Sequence, residues 1–324
     1  MAIHMIKHLI NTITGLSPLV YAFFAFTFLA PYFTSDFYFM ELMVLSLLFA
    51  LFAASWDILS GFTDQPNFGH ALFIGGAGYS SAIMNRSFDL PLWFSIPLSA
   101  LCVAAVGAVI GALTLRLRGP YFALSTIAFS AVFYKMLYIM RPITGGDEGI
   151  TGLDTFTLTV EGDLQITAVI FLVSIVLLTA FARSHYGLIL RTTRHNEEAA
   201  QASGINTSYY KVIGFAVSAF FAGIAGGVQA HTNMQVTPEM ASASLSVMIV
   251  LMATIGGAGT LVGPLLVAAL LAWFDQWLRI WEHYRIIIYM GTLVLLIYIN
   301  PKGIGNSRWI KSSPMVRRLV LGRE

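Results

Sequence analysis

The chain has 324 residues, of which 57% are hydrophobic and only 10% charged, with a mean hydropathy of +0.77. A soluble domain carries about a quarter charged residues, so an ordinary soluble globular protein is excluded. One cysteine, Cys102, excludes an internal disulfide framework and a cysteine-rich metal site, and the formal net charge of +2 is informative only once the charges are placed along the chain.

About ten apolar stretches approach the roughly 20 residues that a helix needs to cross a bilayer core. They fall at 16–34, 39–60, 68–85, 90–113, 120–139, 164–183, 212–232, 243–259, 261–280 and 285–300. Too little polar sequence remains for a separate soluble domain. The expected fold is an all-α integral membrane protein with glycine-rich segments that are either broken or tightly packed. Its expected organisation is an N-terminal segment 1–15, a transmembrane domain 16–300 and a basic tail 301–324. The run Leu16–Phe33 exceeds a signal-peptide core and shows no obvious cleavage site, so it reads as a span. Val20 to Phe33 is apolar on all sides, which suits a lipid-facing helix.

Two G-x-x-x-G pairs, Gly107 with Gly111 and Gly223 with Gly227, serve close helix packing, within the chain or at a dimer seam. The pentapeptide Ile-Gly-Gly-Ala-Gly occurs at 74–78 and again at 255–259. Glycine costs about 1 kcal/mol in a helix interior relative to alanine. Such blocks therefore fit either a helix broken open to a cavity or an unusually tight contact. Trp273, Trp277, Trp281 and Tyr284 suit an aromatic belt at an outer interface.

Orientation follows from the basic residues. With ten spans, one side receives Lys7, Arg116, Arg118, Arg183, Arg191, Arg194, Lys211, Lys302, Arg308, Lys311, Arg317, Arg318 and Arg323. The other receives Arg86, Arg141, Arg279 and Arg285. The positive-inside rule then makes both termini cytoplasmic. The loop 141–163, with Asp147, Glu148, Asp154, Glu161 and Asp163, faces outward.

The cytoplasmic loop 184–211 is the most informative segment. Asn196 can cap a short helix whose first turn holds Glu197 and Glu198, and Gly204 can end it. Such a helix is either a lever for a partner protein or a solvated loop helix. Glu198-Ala199-Ala200, with Gly204 after three more residues, resembles the E-A-A-x-x-x-G signature of bacterial ABC importer permeases. Residues 61–79, 115–126, 252–265, the Thr144-Gly145-Gly146 loop with Gly149, and Asn300–Gly303 resemble successive blocks of the LivM-type branched-chain amino acid permeases. The sequence departs from that family at Asp57, Asp64, Asn67 and Ala131.

The resemblance implies a permease in the bacterial inner membrane. It implies a paralogous, LivH-like permease partner, two ABC ATPase subunits and a periplasmic solute-binding protein. It makes Glu197, Glu198, Ala199, Ala200 and Gly204, flanked by Arg191 and Arg194, the coupling contact with an ATPase. Candidates for the translocation path are Asp57, Gln65, Asn67, His70, Gly75, Gly76, Gly78, Tyr79, Thr126, Gly256, Gly257 and Gly259. Thr144, Gly145, Gly146 and Gly149 are the expected contact with the binding protein.

Asp57 also reads as a helix cap, and His70 as a helix-start contact with no second ligand at metal spacing. The chain contains no G-x-x-x-x-G-K-S/T phosphate loop, so ATP is expected to be used by separate chains, with no cofactor bound here. No nucleophile elbow or zinc-protease motif marks it as an enzyme. Branched-chain or other amino acids are the leading cargo. A urea or short-amide permease and a stand-alone secondary transporter are the alternatives.

Overall fold

The computed structural model describes residues 16–115, 117, 119–281, 284–300 and 303–305. The N-terminal segment with Lys7, residues Arg116, Arg118 and Lys302, and the tail from 306 onward lie outside the described residues, as do the side chains of Arg279 and Arg285.

The described chain is almost wholly helical. In order come α1 (Pro18–Leu29, extended by a 3-10 turn Ala30–Tyr32), α2 (Phe37–Trp56, continuing as a π turn Asp57–Gly61), α3 (His70–Phe88), α4 (Leu92–Thr114) and α5 (Pro120–Ile139). Then follow α6 (Arg141–Thr144), β1 (Ile150–Thr151), α7 (Val160–Arg183), α8 (His185–His195), α9 (Glu197–Ala202) and α10 (Thr207–Thr232). The chain continues with β2 (Gln235–Val236), a 3-10 turn (Pro238–Ala241), α11 (Ala243–Gly256), α12 (Val262–Trp277) and α13 (Arg285–Ile299). Helix starts carry their usual chemistry. Asp36 accepts from the Tyr38 amide at 3.0 Å, Thr159 caps α7, and Pro18 and Pro120 stand in the first turns of α1 and α5.

Five helices among the described residues are long and apolar enough to cross a bilayer: Phe37–Gly61, Leu92–Thr114, Pro120–Ile139, Val160–Arg183 and Thr207–Thr232. Shorter apolar helices are Pro18–Tyr32, Ala243–Gly256, Val262–Trp277 and Ile287–Ile299. Length and composition alone therefore do not reach the predicted count of ten. The 19-residue α3 is diluted by Gly, Ser and Asn, and several other helices are short.

Helix α2 is the central rod, buried along nearly its whole length, with α7, α10 and α12 packed around it. Helix α5 lies at the edge with most of its surface open. The two G-x-x-x-G pairs lie in one seam inside the chain. A Cβ added at Gly107 would sit 2.7 Å from Ala219 on α10, and one at Gly223 would sit 2.6 Å from Val103 on α4. Dispersion between close backbones drives such contacts where lipid removes the hydrophobic difference. Helix α1 is not lipid-facing all round, because Val20 and Thr27 are buried and Phe23 meets Phe171 of α7 edge-on at 5.8 Å.

The two glycine pentapeptides have different structures. The first lies inside an unbroken α3. Gly75 faces the backbone of Ala241, and Gly78 faces Val236 and Met240. The glycines thereby make room for the non-helical stretch that precedes α11. The second ends α11: Gly257 and Gly259 take φ of +100° and +91°, and the chain turns into α12. The sequence left each block open as either a broken helix or a tight contact; the first is a tight contact and the second a helix end.

Candidate coupling joint and translocation face

The segment between α7 and α10 is more ordered than a loop. Helix α8, absent from the sequence reading, buries Ile189, Leu190 and Thr193. Helix α9 then forms where its cap predicts. The Asn196 side chain accepts from the Ala199 amide at 2.9 Å. Gly204 takes φ of +84°, and the Ile205 amide returns to the Ala200 carbonyl at 3.1 Å. Glu198 and Ala199 are exposed and Ala200 is buried, so α9 presents a definite outer face. Glu197 turns inward instead: it accepts from Lys211 Nζ at 2.6 Å and from Thr207 Oγ1 at 3.0 Å, which fastens α9 to the start of α10.

Arg194 links this unit to the membrane helices. Its Nη1 donates to the Gly61 carbonyl at 2.6 Å and to the Ala258 carbonyl at 3.0 Å. The same guanidinium lies 4.0 Å from Asp64. Arg191 stacks over the Phe62 ring at 4.4 Å. Opposite Arg194, Asp57 is fully buried in the π turn. Its two oxygens accept from the Gly259 amide at 2.6 Å and the Leu261 amide at 2.8 Å. These amides precede α12 and have no helical partner, so the carboxylate caps the helix entrance. Backbone amides of Ile304 and Gly305 close the far side, donating to Ile255 and Gly256 at 2.7 and 2.9 Å.

The predicted path residues therefore fall into three groups. Asp57, Gly256, Gly257 and Gly259 belong to the joint just described. Gln65, Asn67, His70 and Thr126 surround the connection from α2 to α3. There Trp56 Nε1 donates to the Asn67 carbonyl at 2.8 Å, the Phe68 amide donates to Thr126 Oγ1 at 3.1 Å, and Ser55 Oγ and His70 Nε2 are 3.1 Å apart. Gln65 Oε1, Asn67 Nδ2 and His70 Nδ1 are buried without a protein partner. Gly75, Gly76 and Gly78 serve helix contact and expose no broken backbone, which corrects the idea of an opened helix there. Tyr79, next in that helix, is buried with an unpartnered hydroxyl.

The outward loop is built on its glycines. Gly145, Gly146 and Gly149 all take positive φ, and β1 pairs antiparallel with β2, Ile150 opposite Val236. Thr144 is buried. Its hydroxyl bonds the Leu137 and Met140 carbonyls at 2.5 and 3.0 Å, so it shapes the turn and is not on the surface. Asp147 and Glu148 are the exposed side chains of this loop. A separate cavity of about 740 Å³ lies beside the start of α2, lined by Glu41, Leu45, Asp163, Gln229 and Gln276; it holds none of the predicted path residues.

Against this geometry, the family described as branched-chain amino acid transport system / permease component matches residues 38–299. The chain belongs to that family. It is 26% identical to the high-affinity branched-chain amino acid transport system permease protein LivM of Salmonella typhimurium, over 82% of this chain and 69% of that protein. Its identity to LivM of Escherichia coli is 25% over the same shares. It is also 23% identical to a probable branched-chain amino acid transport permease protein LivH of Methanocaldococcus jannaschii, over 51% of this chain and 57% of that protein. No solved structure matches the chain. As a family member it is a multi-pass membrane permease subunit of an ABC importer.

Proposed function

We propose that this permease carries branched-chain or related amino acids inward across the bacterial inner membrane, by alternating access. A paralogous permease, two ATPase subunits and a periplasmic binding protein complete the machine. LivM and LivH, named as separate proteins among the relatives, support a paired permease. Ten crossings follow if the five long helices are joined by the four shorter apolar ones and by α3. Both termini and α9 then face the cytoplasm, as the basic residues require.

The observation that carries the mechanism is the linkage through Arg194. An ATPase that grips the exposed face around Glu198 and Ala199 moves α8 and α9 together. Arg194 passes that motion to the π turn at Gly61 and to the glycine turn at Ala258 in one step. These two turns end α2 and join α11 to α12. Their displacement tilts helices on both sides of the path, and Asp57 keeps the two turns in register.

The test is reconstitution of the complete complex in liposomes with Gly204→Pro. Proline fixes φ near −65° and removes the amide that donates to the Gln201 carbonyl, whereas the native φ is +84°. Membrane insertion should be normal, while ATP-dependent leucine uptake should fall at least about tenfold. Wild-type uptake by this variant would remove the lever, and a wild-type complex that moves no amino acid would remove the cargo.

A further inference from the structure

The cavity of about 740 Å³ beside the start of α2 has the size of an ordinary small-molecule site, about 300–1,000 Å³. Four helix ends meet around it. Phe37 and Val160 bring the first turns of α2 and α7, and Thr232 and Gln276 bring the last turns of α10 and α12. Donors on the side of α2 and α7 are already engaged. Asp163 accepts from Thr155 Oγ1 at 2.7 Å, from the Thr157 amide at 2.9 Å and from Thr157 Oγ1 at 3.0 Å. Asp36 accepts from the first amides of α2. The acceptors on the other side are not engaged. Gln276 is 7% exposed and Gln229 is half-buried, and the amide oxygen of each is buried without a hydrogen-bond partner. Glu41 adds an exposed carboxylate to the lining, and among the described residues no Lys, Arg or His lines the cavity.

A buried acceptor left without a donor is costly. A half-turn about the last side-chain torsion exchanges the oxygen and the NH2 of a glutamine amide, so each amide can turn its oxygen to the cavity. The last turns of α10 and α12 add the negative ends of two helix dipoles. Leu42, Leu45 and Leu48, at three-residue steps along α2, give the same cavity an aliphatic strip. We propose that this cavity binds a primary ammonium on a short aliphatic body, with the ammonium on Glu41 and the amide oxygens of Gln229 and Gln276 and the body along the α2 leucines. An anion meets the charges of Glu41 and Asp163 and is repelled. A neutral sugar leaves Glu41 without a counter-charge. An amino acid entering ammonium-first and a free alkylamine share the required chemistry, so the site stands apart from the cargo reading above.

The test is equilibrium dialysis of the full chain in nanodiscs of net-neutral lipid, against labelled isoamylamine, leucine and isovalerate, with empty discs as background. Isoamylamine should bind saturably and isovalerate, the anion of the same shape, should not. Glu41→Gln should raise the Kd for isoamylamine about tenfold, the usual effect of losing one charge-assisted hydrogen bond. Gln276→Leu should raise it about fivefold, since a neutral acceptor is lost. Glu41→Asp should recover most of the affinity, Glu41→Lys should abolish binding, and Glu148→Gln on the outward loop should have no effect. Leucine binding more tightly than isoamylamine makes the cargo the natural occupant, and the reverse order makes it a free amine; either order keeps the ammonium site. Wild-type affinity in Glu41→Gln or in Gln276→Leu would overturn it. So would isovalerate bound as tightly as isoamylamine, or a wild-type chain that binds neither ammonium compound, and none of these results touches leucine uptake by the complete importer.

Discussion

Arg194 and Asp57 each hydrogen-bond to backbone. Arg194 supplies one positive group to two carbonyls, and Asp57 supplies two oxygens to two amides. Asp57→Asn keeps the shape but offers one acceptor oxygen and sets an NH2 donor against a backbone N–H. That change should cost about 1–3 kcal/mol, seen as a lower thermal midpoint of the solubilised protein; an unchanged midpoint would mean that the α12 entrance does not depend on this cap. Arg194→Ala should leave the fold nearly intact, because the arginine is partly exposed and its carbonyls can turn to water. Its expected signature is kinetic. Stimulated ATP hydrolysis persists while leucine uptake falls at least about tenfold, and parallel loss of both would deny it the linking role. Both residues were visible in the sequence as a buried acid and a flanking base. Their targets were not, since the Arg194 acceptors are carbonyls 133 and 64 residues away, where any residue type would serve.

At the scale of elements, apolar length located the helices, and cap chemistry placed α9 to within a residue. Helix α8 escaped because His185 to His195 is short and basic, and its buried face rests on Ile189, Leu190 and Thr193. The glycine blocks were visible as blocks, but their roles were not. A helix interior and a helix end use the same pentapeptide for opposite reasons, close contact in one and positive φ in the other. The close seam makes a sharp prediction. A Cβ at Gly226 on α10 would collide with the Ile74 carbonyl of α3, which is backbone and cannot swing aside. Gly226→Val should therefore cost about 3 kcal/mol or more and abolish recovery of folded protein in detergent. Gly291, where a Cβ meets nothing within 4 Å, should accept alanine with no loss of recovery. Equal recovery of the two variants would contradict the α3–α10 contact.

For the whole molecule, the decisive relation is which end faces the ATPases. The α9 joint and the β1–β2 loop must lie on opposite sides of the membrane for the linkage through Arg194 to do work on the path. The native Cys102 is exposed and would blur a labelling experiment, so Cys102→Ser provides the background. On it, Ser203→Cys places a thiol on the exposed end of α9, and Glu148→Cys places one on the exposed outward loop. A charged maleimide cannot cross the bilayer, because moving an ion into low dielectric costs several kcal/mol at the least. Ser203→Cys should react only in inside-out vesicles and Glu148→Cys only in right-side-out vesicles. If both react from the same side, the span count changes by one between them, and α9 and the loop can no longer stand at opposite ends of one transport path. If both react but with sides exchanged, the basic residues have misled the orientation and the ATPase must engage a different face. The expected pattern fixes α9 as the cytoplasmic end, where the motion enters, and the β1–β2 loop as the opposite end.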